Sequence, residues 1–281
     1  MRITEEQKRT LEGLRCERLS SDEMNLRLVD SFYNRRNDSI AGVLRNEAYG
    51  EDEAGSVAYY VVKDVNGEML FFFSLKNGML YDQHLDEKTI KLLKKLYEYL
   101  DELDADAELS GADRAVIEAV KEKVRSRKGL TKAELERIPK KNAQILQDLE
   151  EELNKNITHV GRTYSGVELV HFCANSATDE LWESLGLPQS RGAVVFWQFV
   201  VPLVLRVREI VGCEYAFLFA ADDSKDLSLV RYYRTQLGFV DEGERATAKP
   251  LYDLSCRFMY QEAESLEKRR EDFFENFNSE E

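Results

Sequence analysis

Three groups of residues in this chain have the types and spacing to do chemistry. The first is the turn Gln189-Ser190-Arg191-Gly192-Ala193-Val194, which passes into a long apolar run. The opening N–H groups of a helix have no intrahelical partners and carry partial positive charge, and a glycine beside them lets a pyrophosphate reach the backbone. The turn is therefore a candidate phosphate cradle, with a plain turn as the alternative. The second group is Glu168 and His171 on an apolar, strand-like stretch. Either could accept a proton near neutral pH, and each has a bland alternative, a solvated carboxylate or a core imidazole. Strict alternation puts them on opposite faces, so that only one could face a cleft. The third is the pair Tyr232-Tyr233 on a helix ending in Leu237-Gly238-Phe239. Ser224, Asp226 and Ser228 stand at the start of that helix, where they cap it or touch a ligand, capping being the commoner use. The sequence contains no GxSxG, P-loop, HExxH or GxGxxG pattern.

These groups need a scaffold, and residues 167 to 239 read as one. VELVHFCA is an apolar strand, SATDELWESLG a short helix, and VVFWQFVVPLVLRVREIV a long apolar helix that Pro202 should kink. CEYAFLFAAD is a near-continuous apolar strand, as expected where both faces are covered. Upstream, residues 4–13 read as a charged helix and LRCERLS as a first strand. Ser20 and Glu23 then form a capping-box pattern for the following helix. SVAYYVVKD and EMLFFFSLK flank Asn66-Gly67, a hairpin signal with positive φ expected at both turn residues. Asn77-Gly78 marks either a second hairpin or a bend within one longer strand. From about residue 86 to 156 the chain turns charged and helix-prone, with amphipathic stretches at 89–103, 112–124, 131–139 and 141–153. KPLYDLSCRFMYQ alternates as a last strand, followed by a charged tail that is helical and then frayed.

Composition bounds the partners. With 53 acidic against 39 basic residues the net charge is −14, which disfavours a nucleic-acid partner or membrane surface and favours a basic one. The four cysteines (Cys16, Cys173, Cys213, Cys256) have neither metal-ligand nor disulfide spacing and suit buried thiols in a reducing cytoplasm. No apolar run is long enough to span a bilayer.

The order of elements, the PQSRGAV turn, FLFAAD and LVRYYRTQLGFV with KPLYDLSCRFMYQ after it together resemble the GNAT family of N-acetyltransferases. The resemblance covers residues 167–261 well and 14–83 loosely, and the helical segment has no counterpart in it. It implies a mixed α/β fold, a central mostly antiparallel sheet flanked by helices, with a helical insertion between the third and fourth strands. The expected organisation is 1–85 and 161–262 as the two halves of that domain, 86–160 as the insertion and 263–281 as the tail. It implies acetyl-CoA as cosubstrate, its pyrophosphate held by Gln189, Ser190, Arg191, Gly192, Ala193 and Val194, with Ser228 nearby. Val194 stands where the family has Gly or Ala. It further implies a tyrosine that protonates the departing thiolate. The family's spacing falls on Arg234, so a helix end one residue looser is needed to bring Tyr233 into that role, with Tyr232 in reserve. Glu168 or His171 is then the base, and the acceptor is an amine such as a basic peptide or small polyamine. Two alternatives remain: an inactive module of the same fold that binds a protein partner, and a homo-oligomer paired through the insertion.

Overall fold

The computed structural model describes residues 2–82, 87–105, 109–125, 137–139, 147–148, 163–222, 224, 226–241, 245–247 and 256–279. The chain divides into two compact units, Met1–Tyr81 with Thr163–Glu281, and Asp82–Arg162.

The first unit is built on a seven-stranded sheet in the order β1-β2-β3-β4-β5-β7, with β6 paired to β3. Its strands are β1 (Arg15–Arg18), β2 (Ala58–Lys63), β3 (Met69–Asp82), β4 (Thr163–Ala174), β5 (Tyr215–Ala220), β6 (Arg245–Ala246) and β7 (Arg257–Glu262). Along the main path neighbours run antiparallel except β4 and β5, which are parallel. This mixed α/β sheet flanked by helices is the architecture expected from the sequence.

Helices cover both faces. The first, α1 (Glu5–Gly13), sets Leu11 against Trp182, Val194 and Phe277. On one side lie α2 (Glu23–Val29), α3 (Asp38–Asn46) and α4 (Ala48–Glu53). Val29, Phe32, Leu44 and Ala48 pack there on Tyr59, Val61, Phe72 and Cys173. Asp52 of α4 binds this layer to the sheet, accepting from Arg18 Nε (2.8 Å), Ser20 N (2.9 Å) and Tyr59 N (2.7 Å). These bonds, chiefly that from Arg18, outweigh the burial cost and hold its carboxyl below the usual range. The cap of α2 is Asp22, whose side chain accepts from Met24 N, rather than Ser20.

The other face carries the second helical layer: α7 (Asp179–Ser184), α8 (Arg191–Val195), a π-turn (Phe196–Val200), α9 (Val201–Val211), α10 (Ser228–Thr235) and α11 (Leu266–Glu275). Pro202 explains the π-turn: it cannot donate to a preceding carbonyl, and the ladder opens by one residue just ahead of it, with Val201 N–H bonding Phe196 O. Phe196, Trp197, Val201, Val204, Val230, Tyr233 and Phe239 pack there against Phe71, Phe73, Leu169 and Leu218.

Two expectations change, and the choice at Asn77-Gly78 is decided for one long strand. The β2–β3 turn runs from Asp64 to Glu68, and Asp64 Oδ1 accepts from the N–H groups of Asn66 (3.0 Å) and Glu68 (2.8 Å). Only Gly67 there has positive φ, so the Asp64 carboxylate replaces the expected two-residue geometry. Asn77-Gly78 is no second hairpin. It lies inside β3, where Gly78 faces Gly166 across the ladder and the Phe217 ring fills the space a side chain would take at either. The charged tail is a packed element: α11 lays Leu266 into the core, Arg270 Nε donates to Trp197 O (2.8 Å), and Phe277 is fully buried.

The second unit contains α5 (Glu87–Asp104) and α6 (Gly111–Arg125). Leu96, Leu100 and Leu103 of α5 and Ile117 and Val120 of α6 are buried, the repeat of an amphipathic helix. Lys121 is also buried and pairs with Asp101 (2.7 Å) and Asp104 (3.1 Å), which raises its pKa. The helices expected at 131–139 and 141–153 fall largely outside the described residues. Among the described residues no helix is long and apolar enough to cross a membrane.

Candidate active site

The site begins with an irregularity in β4. Its register against β3 slips between Ser74 and Leu75: Leu169 faces Leu75, His171 faces Ser74, and Val170 is the extra residue. Such a bulge bends a strand and interrupts its pairing. The parallel ladder to β5 runs from Gly166–Tyr215 to Leu169–Leu218 and stops there, while β4 continues to Ala174 and β5 to Ala220. The two strands thus part at the bulge.

The bulge also changes which side chains share a face. Leu169 and Phe172 both pack on the α8–α10 side. Glu168, opposite Lys76, and His171, opposite Ser74, lie together on the other side. The expectation that they stand on opposite faces is overturned, because the inserted residue shifts the alternation by one. Burial raises the Glu168 carboxyl, with Lys76 opposing. Burial lowers His171 below its ordinary 6.5, with Glu51 opposing. The imidazole lies 2.8 Å from Ser74 Oγ through Nδ1 and stacks on Tyr59, whose hydroxyl donates to Glu51 Oε2 (2.7 Å).

A depressed histidine has a testable consequence. Its neutral form fits the fold, so its contribution is complete above about pH 6.5 and is lost as pH falls toward the lowered folded value. Between about pH 7.5 and about pH 5 the urea midpoint should fall more for the wild type than for His171→Gln. Equal pH dependence in the two chains would exclude this role.

On the α8–α10 side a groove of about 580 Å³ is lined by Gln189, Ser190, Ser228, Arg231, Tyr232 and Asn278, among others. Ser190 is the N-cap of α8, its side chain accepting from Ala193 N. Tyr232 lies against Gly192, where a Cβ would collide with its hydroxyl, and that hydroxyl is 3.1 Å from Ser190 Oγ. Burial pushes the Tyr232 phenol up to about 12, against the lowering pull of Ser190 and the Ala193 N–H. Gln189 turns its amide to Phe277 O (2.8 Å), so the C-terminal segment forms one wall.

The remaining expected site residues are placed differently. Arg191 points inward. Its guanidinium donates to Leu70 O (3.1 Å), Asn175 O (2.6 Å), Thr178 O (3.2 Å) and Asp179 Oδ1 (2.9 Å), and lies over the Trp182 ring. Ala193 and Val194 are fully buried, Val194 beside Leu70 and Phe277. Ser228 opens α10, its N–H bonding Ser224 Oγ (3.0 Å). The capping carboxylate of α10 is one that sequence reading missed, Asp222, which accepts from Val230 N (2.9 Å). Its signal was its place at the end of FLFAAD, ahead of a helix.

Tyr233 is buried in the core beside Phe239. Burial raises its pKa, and Tyr232, Cys173, Asp222 and Cys256 add to the rise. The helix end is loose by one residue: Phe239 N–H bonds Tyr233 O (3.0 Å), whereas the usual glycine-capped end closes one residue tighter. Arg234 is exposed and pairs with Asp241 (2.5 Å). Burial raises the thiols of Cys16 and Cys173 to about 12, which leaves them protonated and poor nucleophiles.

No family model matches the sequence, and no curated protein is significantly similar to it. Solved structures similar to the chain include a mutant of KacT, with 12% identity over 92% of this chain and 99% of that one at a TM-score of 0.48. AtaTR bound with AcCoA has 11% identity over 92% and 98% at 0.47. AtaT complexed with acetyl-methionyl-tRNAfMet has 10% identity over 91% and 98% at 0.45. At these values the likeness transfers neither fold nor activity, and this chain's own strand order and site geometry carry the functional reading.

Proposed function

We propose that the chain is a GNAT-like, acetyl-CoA-dependent N-acetyltransferase acting on an amine. The observation that carries the reading is the parting of β4 from β5 at the Val170 bulge. It opens the sheet between a groove on one face and the Glu168–His171 pair on the other, so donor and acceptor can approach from opposite sides.

Acetyl-CoA supplies an acyl group activated as a thioester. Ser190, the bare backbone at Gly192 and the neighbouring N–H groups offer its pyrophosphate a seat at the start of α8. The fit is supported by the close approach that Gly192 allows to an oxygen, here the Tyr232 hydroxyl. Glu168 takes a proton from the amine; its raised pKa makes it a better base than an ordinary carboxylate. Tyr233 gives a proton to the departing sulfur as the carbon–sulfur bond breaks. His171, neutral and turned toward Ser74, is a positioning residue beside Glu168. A net charge of −14 suits a basic peptide or polyamine as acceptor.

Saturating acetyl-CoA should raise the melting temperature. At about 100 times its dissociation constant a ligand adds about 2.7 kcal/mol, which is roughly 5 °C or more for a chain of this size. No shift with acetyl-CoA or longer acyl-CoAs would falsify the proposal. A second reading, an inactive module of the same fold, is favoured by the engagement of Gln189 and Tyr232 within the chain itself. Free-thiol release from acetyl-CoA with an amine panel separates the two.

A further inference from the structure

We propose that Tyr232 is a gate: its phenol occupies the seat of a phosphate oxygen at the Gly192 turn, and acyl-CoA enters by displacing it. The proposal rests on the acyl-CoA reading of the groove and adds a resident competitor to it.

Three observations carry it. The Tyr232 hydroxyl stands 3.1 Å from Ser190 Oγ, the N-cap of α8, and that same Oγ accepts from the Ala193 N–H (3.3 Å). Those are the groups a pyrophosphate would use there. The position facing the hydroxyl is Gly192, and any side chain at that position would collide with it. One bare stretch of backbone thus serves the phenol in one state and the phosphate in the other. Finally, Tyr232 also lines the groove of about 580 Å³, together with Ser228, Arg231 and Thr235 of its own helix. The hydroxyl therefore stands at the edge of an open volume that a ligand can enter.

A phenol in that seat is a polar, hydrogen-bonded occupant of an anion site. Its contribution is a competing internal hydrogen bond, and removing the hydroxyl alone removes the competition while keeping the ring's packing. This separates a gate from a proton donor, which would lower turnover when removed, and from a packing residue, which would leave the cosubstrate's affinity unchanged.

The experiment is calorimetric titration of the full chain and of Tyr232→Phe with acetyl-CoA and with acetyl-pantetheine, which lacks the pyrophosphate. Loss of the competing bond should tighten acetyl-CoA about five-fold and leave acetyl-pantetheine unchanged. Unchanged or weaker acetyl-CoA binding by the variant overturns the gate while leaving the acyltransferase reading intact. Binding by the variant alone supports a gate closed in the wild type. Absence of binding by both chains overturns the acyl-CoA reading and the gate with it. As a second measurement, 3-fluorotyrosine at position 232 of the otherwise unaltered chain should shift its fluorine resonance toward a solvent-exposed value on saturation with acetyl-CoA. A resonance that does not move while acetyl-CoA binds overturns the gate.

Discussion

Replacing Tyr233 by phenylalanine lowers kcat for acetyl transfer by at least about 100-fold, the lower end of what a positioned proton donor contributes. KM for acetyl-CoA changes little, because the phenol acts only as charge develops on sulfur. The expectation follows from the looseness at the end of α10. On the GNAT resemblance a tight closure over Gly238 would set Arg234 where the acid is expected, yet Arg234 lies at the surface paired to Asp241. The wider closure, from Phe239 N–H to Tyr233 O, is the one that the proposed role of Tyr233 as acid needs. Its elevated pKa keeps it protonated throughout the neutral range, as a donor must be. The ring packing survives the substitution, so melting should move little. Steady-state kinetics alongside calorimetry decide the matter: turnover within about three-fold of wild type would reduce Tyr233 to a core residue.

Arg191→Met destabilises the fold by about 3–5 kcal/mol, because carbonyls of Leu70, Asn175 and Thr178 lose a donor in a place water does not reach. Most of the loss belongs to these neutral acceptors. Asp179 is 40% exposed at its side chain, and a wetted ion pair adds little. Asp179→Asn should accordingly cost under about 1 kcal/mol. In a melting scan the methionine variant falls by roughly 10 °C. A residue that held phosphate would behave in the opposite way, weakening acetyl-CoA with stability intact, and that pattern would place Arg191 back at the cosubstrate.

Local rules made most of the sheet legible. The place of the β2–β3 connection, the alternation of β2 and β3 and the apolar run of β5 all follow from period and turn chemistry, whereas the geometry of that turn does not. The site was less legible because one-residue events govern it. Val170 is apolar like its neighbours, so nothing in VELVHFCA marks it as the residue that breaks alternation, and Glu168 and His171 were separated on paper. The loose end of α10 follows from how Tyr233 and Phe239 pack, a tertiary effect. Arg191 could not be distinguished from a phosphate ligand by type, since an arginine beside a glycine turn suits either use. Its real partners lie on β3 and around α7. Phe277 sits in a strongly charged stretch, yet Phe273, Phe274 and Phe277 are at helical spacing and do meet in the structure, a signal that the surrounding charge obscures.

The bulge gives this protein an edge strand in the middle of its sheet. Beyond Leu169, β4 has β3 on one side and no ladder to β5 on the other. Exposed edges recruit foreign strands and lead to aggregation, and proteins blunt or cover their outer ones. An edge between two strands of the same sheet is safer because it is short: past the last paired residues β4 runs only to Ala174 and β5 only to Ala220, too little for a foreign strand to pair along. The same geometry that shields the sheet from its neighbours therefore filters what may complete it.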